Sequence, residues 1–225
     1  MNLPDNRDTT VRIRAPSLTP CQVKTNPRFQ IATDYRVAQL LKHAEPCEFH
    51  SLAEYYHALL LEGDPSVTRY VPQPFFFKIN GRHYTPDCYI VRDGQEEVVE
   101  LRPKAKFDEH RRQALVAFLR PHRMRFVVIS NEAVVSRRIE AENWQMIVQA
   151  LAIHRDLDTG CRELELLDQV VRNGGTCLGE RVLPGDRQSS RVDEIALLRL
   201  MHRGKLTADL TTHRFGFGTE LRPCL

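Results

Sequence analysis

An apolar run that is interrupted by two charges constrains this chain more than any other segment. Residues 98–102 read Val-Val-Glu-Leu-Arg, so Glu100 and Arg102 stand two residues apart in an otherwise apolar stretch. Side chains two residues apart on a strand point to the same face of a sheet. A buried-facing charge needs a partner, and a metal ion is one of few that suit an acid and a base together. The run therefore predicts a β-strand that carries a functional site.

The segments around this run predict a mixed sheet flanked by helices. Ser51 and Glu54 have the spacing of a capping box at the start of an apolar helix. Asn80-Gly81 and Asp93-Gly94 each join two strand-like segments into a hairpin. Further helices are predicted at residues 108–119 and 144–152, and a further strand at 125–129. The order of helix, strands, helix, strand and helix indicates an α/β fold.

The N-terminal part of the chain differs from this α/β region in composition. Residues 1–45 are predicted to form an arm followed by a short lead-in helix. The arm, up to residue 30, is rich in Pro, Thr and Arg and either stays flexible or lies over a partner. Apolar residues at helical spacing predict the lead-in helix over residues 35–43. The α/β domain then spans residues 46–155.

Residues 156–225 predict a separate small domain. Two helices are expected near residues 163–172 and 192–203, followed by segments 205–210 and 214–218 that pair as a hairpin. Two helices and a two-stranded wing form the outline of a winged helix. The same arrangement also occurs in domains that bind only protein.

Composition argues against several protein classes. The six cysteines have neither CxxC pairing nor metal-type spacing, so we expect reduced, mostly buried thiols rather than disulfides or a zinc site. The polar first residues predict no secretory signal, and no run of 18 apolar residues predicts a membrane span. These features favour a cytoplasmic protein. The formal net charge of +3 is too small to identify nucleic acid as a partner.

Three carboxylates are candidates for a magnesium site. Asp87 follows Pro86 where one strand begins, and Glu100 lies on the next strand of the same hairpin, so the two reach one edge of the sheet. Glu54 would join them from the neighbouring helix. Carboxylates that hold Mg²⁺ can activate water for phosphodiester hydrolysis. Each residue also has an ordinary role: Glu54 as a helix cap, Asp87 as a turn residue, and Glu100 with Arg102 as the polar face of an edge strand.

The spacing E…PD…ExR differs by one residue type from the E…PD…(E/Q)xK signature of the restriction-endonuclease-like fold. Residues 51–129 resemble the catalytic domain of the TnsA family, the endonuclease subunits of heteromeric cut-and-paste transposases. The matching segments, in order, are Ser51-Leu52-Ala53-Glu54, Asp64-Pro65-Ser66-Val67, Gln73-Pro74, Tyr84-Thr85-Pro86-Asp87 and Glu100-Leu101-Arg102-Pro103-Lys104. Residues 200–206, with Asp209-Leu210, are similar to the end of the family's winged-helix-like C-terminal domain.

This resemblance implies a site and an activity. Asp87, Glu100 and the backbone carbonyl of Leu101 would ligate Mg²⁺, for which Mn²⁺ can substitute, and Glu54 would complete the acidic cluster. The family nicks double-stranded DNA at the 5′ ends of a mobile element, beside a TnsB-like transposase that cuts the 3′ ends and a TnsC-like ATPase regulator. The chain would then work in the bacterial cytoplasm, associated with the nucleoid.

The sequence departs from the family at Arg102, where lysine is usual. Arginine keeps its charge at all working pH values and is a poor general base, but it can stabilise charge on a phosphate in transfer. Lys104, two residues further on and predicted to face the same side, is the candidate to take the place of the lysine.

Basic charge is concentrated directly after the charged strand. Residues 101–140 hold ten Lys or Arg against four Asp or Glu, whereas residues 161–225 hold ten against nine. Basic side chains on one rim would hold the DNA backbone without reading bases. The alternative is that these arginines are the solvated face of a helix. The residues assigned to DNA binding are Lys104, Lys106, Arg111, Arg112 and Arg123.

The sequence therefore predicts a Mg²⁺-dependent DNA endonuclease subunit with Glu54, Asp87, Glu100, Arg102 and Lys104 in catalytic roles. Two alternatives remain open. One is a catalytically impaired subunit that serves the same complex as a DNA- and partner-binding scaffold. The other is a stand-alone defence or repair nuclease. The balanced charge of the C-terminal region favours docking to protein there.

Overall fold

The computed structural model describes residues 11–25 and 34–224, and these residues form strands and helices in alternation. The strands are β1 (Ile13–Arg14), β2 (Arg36–Ala38), β3 (Cys47–Phe49), β4 (Val67–Pro72), β5 (Phe77–Ile79), β6 (Arg82–Tyr84), β7 (Cys88–Arg92), β8 (Gln95–Arg102), β9 (Met124–Ser130), β10 (Thr176–Cys177), β11 (Leu206–Thr207) and β12 (Glu220–Pro223). The helices are α1 (Leu52–Glu62), α2 (Glu109–Leu119), α3 (Asn131–Ser136), α4 (Arg138–Ile153), α5 (Gly160–Asn173), α6 (Leu178–Arg181) and α7 (Arg191–His202).

The central sheet has the strand order β4-β7-β8-β9. β4, β7 and β8 pair antiparallel, whereas β8 and β9 are parallel and place Arg102 opposite Ser130. The hairpins predicted at Asn80-Gly81 and Asp93-Gly94 are both present, as β5-β6 and β7-β8. The prediction of a mixed sheet flanked by helices is confirmed.

β8 is buried on both faces because helices cover both sides of the sheet. Val99 and Leu101 belong to the core formed with α1 and α4, whereas Val98 belongs to the core formed with α2. Since side chains alternate along a strand, Glu100 shares the α2 side with Val98. The charged pair predicted from sequence therefore lies on a strand with no solvent-facing side along most of its length.

Helix α1 is placed by its two ends. Ser51 caps the start, where its side chain accepts a hydrogen bond from the Glu54 N–H at 3.2 Å. Gly63 caps the end, and a Cβ atom at this position would overlap the Trp144 indole of α4. The absence of a side chain at Gly63 thus allows α1 and α4 to approach closely.

The N-terminal segment lies on the domain itself. β1 pairs with β5, with Ile13 opposite Ile79, so residues 11–25 are not a separate arm. Residues 1–10 and 26–33, also part of the predicted arm, lie outside the described residues. The lead-in helix predicted at 35–43 is wrong: residues 36–38 form β2, which pairs with β3, and the edge pairing overrides the helical spacing of the apolar residues.

The C-terminal region contains the two predicted helices and, after them, an antiparallel strand pair whose second strand lies later in the chain than predicted. α5 and α7 match the expected positions, whereas β12 pairs with both β10 and β11 in a three-stranded sheet. The first strand of the predicted hairpin is present as β11, but it pairs with β12 rather than with residues 214–218. The buried Asn143 side chain binds the loop between these two strands. Its Nδ2 donates to the carbonyls of Leu210 and His213 at 2.9 and 2.7 Å, and its Oδ1 accepts from the Phe215 N–H at 2.9 Å.

The C-terminal helices share a hydrophobic core with the α/β region. Leu166 and Ile195 belong to the same buried cluster as Leu59 and Trp144. The proposed boundary near residue 155 therefore crosses a continuous core, and the winged-helix-like assignment stays a prediction.

The cysteines are all free thiols, but their burial differs from expectation. Cys47 and Cys88 are buried, whereas Cys21, Cys161 and Cys224 are exposed and Cys177 is half-buried. The expectation that most are buried is therefore wrong. Within residues 11–25 and 34–224, no helix is long and apolar enough to cross a membrane.

Glu62 joins three parts of the molecule at the end of α1. Its fully buried carboxylate accepts hydrogen bonds from the backbone N–H groups of Leu41 and Lys42 at 3.0 and 2.9 Å and from the Tyr70 hydroxyl at 2.9 Å. Its other oxygen lies 3.0 Å from His202 Nε2 on α7. Burial acts to raise the pKa of Glu62, but hydrogen bonds from His202, Lys42 and Tyr70 outweigh burial and lower that pKa.

We predict that Glu62→Leu lowers the free energy of unfolding by about 3–5 kcal/mol, because it leaves several buried donors without an acceptor. Because the folded-state pKa is lowered, the stabilisation by Glu62 is present above the unfolded-state pKa and is lost as the pH falls through the folded-state value. The stability gap between the natural chain and Glu62→Gln should therefore shrink below about pH 4.5. Denaturant unfolding measures both effects, with Glu165→Gln on the exposed face of α5 as the control; equal losses in both Gln variants would contradict the assignment.

Candidate functional site

The site forms where β7 begins and β8 ends. Asp87 stands one residue before β7, and its backbone N–H donates to the carbonyl of Val99 at 3.1 Å. Its side-chain Oδ2 accepts a hydrogen bond from the Leu101 N–H at 2.6 Å. The antiparallel pairing of the two strands thus fixes the Asp87 carboxylate beside residues 100 and 101, as the hairpin predicts.

Glu100 is completely buried next to Asp87. Its Oε2 accepts a hydrogen bond from the Tyr84 hydroxyl at 2.6 Å, and its Oε1 forms an ion pair with Arg102. The Arg102 side chain is 44% exposed, so its guanidinium lies between the buried acid and solvent.

Glu54 is turned toward the start of its own helix. Its Oε1 accepts from the Ser51 hydroxyl at 2.9 Å, and its Oε2 accepts from the His50 N–H at 3.1 Å and from Gln73 Nε2 at 2.7 Å. These contacts are a form of the capping box that the sequence predicts. The ordinary role of Glu54 as a helix cap is therefore present, and both of its oxygens are hydrogen-bonded.

The three carboxylates interact electrostatically. Burial, followed by the charges of Glu100 and Glu54, raises the pKa of Asp87 to about 8, against the opposing effects of the Leu101 N–H and Arg102. Burial also raises the pKa of Glu100, although Tyr84 and Arg102 act in the opposite direction. Burial and Glu100 raise the pKa of Tyr84, so Tyr84 stays protonated as the donor. Near neutral pH the Asp87–Glu100 pair therefore holds a proton unless a cation replaces it.

The donor set fits a divalent cation in part. Among the described residues, no group of three or more His, Cys, Asp or Glu side chains is arranged to hold a metal ion, since Glu54 is turned to its helix cap. Asp87 and Glu100 nevertheless fit such a cation. They are neighbouring carboxylates with raised pKa values, and a nearby cation would favour their charged forms. Leu101 contributes its N–H to Asp87, and the ligation of a metal by its carbonyl stays a prediction.

The structure separates Lys104 from Arg102. β8 ends at Arg102, and Pro103 begins a 3-10 turn that runs to Ala105. Lys104 has a left-handed φ of 52°, and its backbone N–H donates to Glu132 Oε2 at 2.7 Å. The expectation that Lys104 follows Arg102 on the same strand face is therefore wrong, because the proline starts a turn.

The basic residues assigned to DNA binding do not lie on one rim. Lys104 and Lys106 are exposed directly after β8, at the end that carries the carboxylates. Arg111 and Arg112 lie in the first turn of α2, where Arg112 pairs with Glu109. Arg123 precedes β9 and lies at the opposite end of the sheet, since Met124 is opposite Glu96 whereas Ser130 is opposite Arg102. Six strand residues correspond to about 20 Å, so Arg123 is remote from the carboxylates.

Two spaces adjoin Asp87. A groove of about 250 Å³ is lined by Val23, Lys24, Thr25, His50, Gln73, Thr85 and Asp87. On the other side, a cavity of about 10 Å³ is lined in part by Glu54, His57, Asp87 and Leu101. Such a cavity is close to the size of one water molecule. Burial lowers the pKa of His57 to about 4, so this imidazole is neutral.

Sequence reasoning did not assign three residues that the structure brings to the site, namely Gln73, Tyr84 and His57. Gln73 and Tyr84 lie within the matched motif segments, which is the signal that could have identified them. His57 stands three residues after Glu54, on the neighbouring position of the same helix face. Their contacts depend on long-range packing, which the spacing alone does not give.

Comparison with known proteins does not assign this chain, since no family model and no curated protein matches it.

We predict that Asp87→Asn changes how stability depends on pH in metal-free buffer. Because the folded-state pKa of Asp87 is about 8 and its ordinary value is 3.8, the folded state holds more protons than the unfolded state between these values. Stability should therefore fall as the pH rises toward 8, and an uncharged Asn that keeps the acceptor oxygen removes this fall. Thermal unfolding between pH 5 and pH 9 in the presence of a chelator measures the effect.

Asp93→Asn is the matched control, because Asp93 stands in the exposed turn of the same hairpin. The difference in stability between Asp87→Asn and the natural chain should grow as the pH rises. The difference between Asp93→Asn and the natural chain should not change with pH. Parallel curves for all three proteins would show that Asp87 is not protonated at neutral pH.

Proposed function

We propose that this chain is a metal-dependent DNA endonuclease with a restriction-endonuclease-like core and a small winged-helix-like C-terminal domain. More specifically, we propose that it is the TnsA-type subunit of a heteromeric transposase and cuts the 5′ ends of a mobile element beside a TnsB-like transposase and a TnsC-like regulator. It would act in the bacterial cytoplasm, associated with the nucleoid. The observation that carries the proposal is the carboxylate pair at the joined ends of β7 and β8, formed by half-buried Asp87 and fully buried Glu100, with the exposed Arg102 beside it.

The buried pair supports a cation site for an electrostatic reason. Two carboxylates in a desolvated position disfavour each other's charge, and a divalent cation removes that penalty. Asp87 and Glu100 would hold Mg²⁺, or Mn²⁺ in its place, and Glu54 would support the site through its electrostatic effect on Asp87. When bound, the ion supplies activation of water and stabilisation of the negative charge that develops on the phosphate.

Arg102 supports a role in charge stabilisation rather than in proton transfer. Its guanidinium pairs with Glu100 and is 44% exposed, so an incoming phosphate can reach it. Arginine stays protonated and binds phosphate oxygens through two parallel hydrogen bonds. Arg102 would therefore orient the scissile phosphate and stabilise its charge during attack by water.

A scaffold function in the same complex is the second candidate. The observation that favours it is the capping arrangement of Glu54, whose oxygens are engaged by Ser51, His50 and Gln73. In a scaffold, the carboxylates would stabilise the fold, and the natural chain would bind DNA and partners without metal-stimulated cutting.

The direct test is cleavage of element-end DNA by the full chain with its cognate transposase, in Mg²⁺ and in Mn²⁺. The natural chain should cut the 5′ ends, and Asp87→Ala should lose at least about 100-fold in rate. Arg102→Ala should lose about 1000-fold, as does removal of an arginine that stabilises phosphate charge, whereas Arg102→Lys should lose less because it keeps the positive charge.

Three results would contradict the endonuclease proposal or redirect it. Cutting by Arg102→Lys alone would favour the scaffold reading of the natural chain. Equal cutting by Asp87→Ala would show that the carboxylates are not catalytic. Cutting of plasmid DNA by the isolated natural chain would favour a stand-alone nuclease.

The position of the basic residues gives a separate prediction for DNA binding. Lys104→Ala with Lys106→Ala should weaken binding of duplex DNA and reduce the salt dependence of affinity by about one unit of slope for each lost phosphate contact. Arg123→Ala, at the far end of the sheet, should leave the slope unchanged. Titrations by fluorescence anisotropy at several salt concentrations test this; an equal effect of Arg123→Ala would place DNA along the whole sheet.

A further inference from the structure

Gln73 stands at the junction of the N-terminal segment, Glu54 and Asp87. Its side chain donates from Nε2 to Glu54 Oε2 at 2.7 Å and accepts at Oε1 from Gln22 Nε2 at 2.7 Å. Its backbone N–H donates to the Asp87 carbonyl at 3.0 Å, and its carbonyl accepts from the Val23 N–H at 2.9 Å. Each of its four polar groups therefore has a partner, and two of these partners are candidate site residues.

The backbone of Gln73 is held in a rare conformation. Its φ is +40°, a region that residues other than glycine seldom adopt, and the residue is 4% exposed. Proline stands on either side of it, at positions 72 and 74. Such strain persists where the surrounding structure determines the conformation, and it often occurs at functional sites.

The direction of the hydrogen bonds around Gln73 is fixed by a backbone group. The N–H of Glu48 can only donate, and it donates to Gln22 Oε1 at 3.2 Å. The amide nitrogen of Gln22 therefore points away from that contact, and it donates to the carbonyl of Glu48 and to Gln73 Oε1 at 2.7 Å each. Gln73 must then present its own amide nitrogen to Glu54. We call this chain of hydrogen bonds, from Glu48 through Gln22 and Gln73 to Glu54, the relay. In it, Gln73 can only donate to the Glu54 carboxylate.

Residues 21–25, which we call the strap, make backbone hydrogen bonds to the residues of the relay and to their neighbours. Besides Gln22 and Val23, the Cys21 N–H donates to the Pro74 carbonyl at 3.1 Å, and the Thr25 N–H donates to Glu48 Oε2 at 3.1 Å. The strap also lines the groove of about 250 Å³ beside Asp87. The same segment therefore anchors Gln73 and borders the approach to the carboxylates.

We propose that Gln73 is a positioning residue that holds the Glu54 carboxylate in its capped orientation, from which its negative charge acts on Asp87 and favours cation binding there, and that the strap holds Gln73 in place. This inference rests on the proposed function, in which Glu54 supports ion binding at Asp87 and Glu100. A donated hydrogen bond stabilises the negative charge of a carboxylate and restricts its orientation. Partners of this kind change metal affinity by about 10- to 100-fold when they are removed. A purely structural role for Gln73 would change stability without changing metal affinity.

Binding of Mn²⁺ to the full chain, measured by electron paramagnetic resonance, tests the proposal without relying on cleavage. Gln73→Gly is the informative variant, because glycine accepts the left-handed φ while the side chain is removed. We expect Gln73→Gly to weaken Mn²⁺ binding by about 10- to 100-fold. The matched control is Gln95→Ala: Gln95 is exposed at the other end of β8, donates to the carbonyls of Glu96 and Arg123, and should leave binding unchanged.

Asp87→Asn separates failure of this inference from failure of the proposed function. If the natural chain binds Mn²⁺ and Asp87→Asn weakens binding, the metal site stands, and unchanged affinity in Gln73→Gly then overturns the role of Gln73 alone. If the natural chain and Asp87→Asn do not differ, the proposed function and this inference both fail. Should Gln73→Gly not fold, Gln22→Leu removes the relay from the strap; a loss of Mn²⁺ affinity supports the proposal, and unchanged affinity overturns it.

Discussion

The hydrogen bond from the Leu101 N–H to the Asp87 carboxylate is the contact on which the site depends. It continues the β7–β8 pairing by one step beyond the last strand residues and uses a side chain where the ladder would use a carbonyl. The consequence is that a carboxylate is held in a desolvated position next to a second, fully buried carboxylate, Glu100. Burial raises the pKa values of both acids, because keeping both of them charged away from water costs free energy. Such a cost needs a compensating interaction or function.

Two neighbouring side chains, Arg102 and Glu54, limit how the free-energy cost of these buried charges can be offset. Arg102 is ion-paired with Glu100, but its side chain extends toward solvent, so it neutralises the pair only in part. Glu54 adds negative charge near Asp87 and is kept in its orientation by Ser51 and Gln73. Carboxylates with raised pKa values beside an arginine are typical of functional sites.

Sequence alone predicted the parts of this fold that local rules determine. The Asn80-Gly81 and Asp93-Gly94 turns, the Ser51 cap and the apolar runs of β8 and β9 act over a few residues, and the elements they predict are present. The predicted lead-in helix and the predicted second strand of the wing are wrong because distant partners decide them. Residues 36–38 form a strand by pairing with β3, and β11 pairs with β12 instead of residues 214–218, which follow a loop that the buried Asn143 binds. For the same reason, the spacing placed Asp87 beside Glu100 but gave no role to Gln73, whose partners are 19 and 51 residues away.

We expect the Asp87–Glu100 pair to hold a proton near neutral pH until a divalent cation displaces it. Calorimetry of Mn²⁺ binding at pH 7, repeated in buffers with different ionisation enthalpies, counts the protons released on binding. We expect the natural chain to release about one proton and Asp87→Asn to release fewer, at whatever residual affinity the variant retains. Binding of Mn²⁺ by the natural chain without proton release would contradict it.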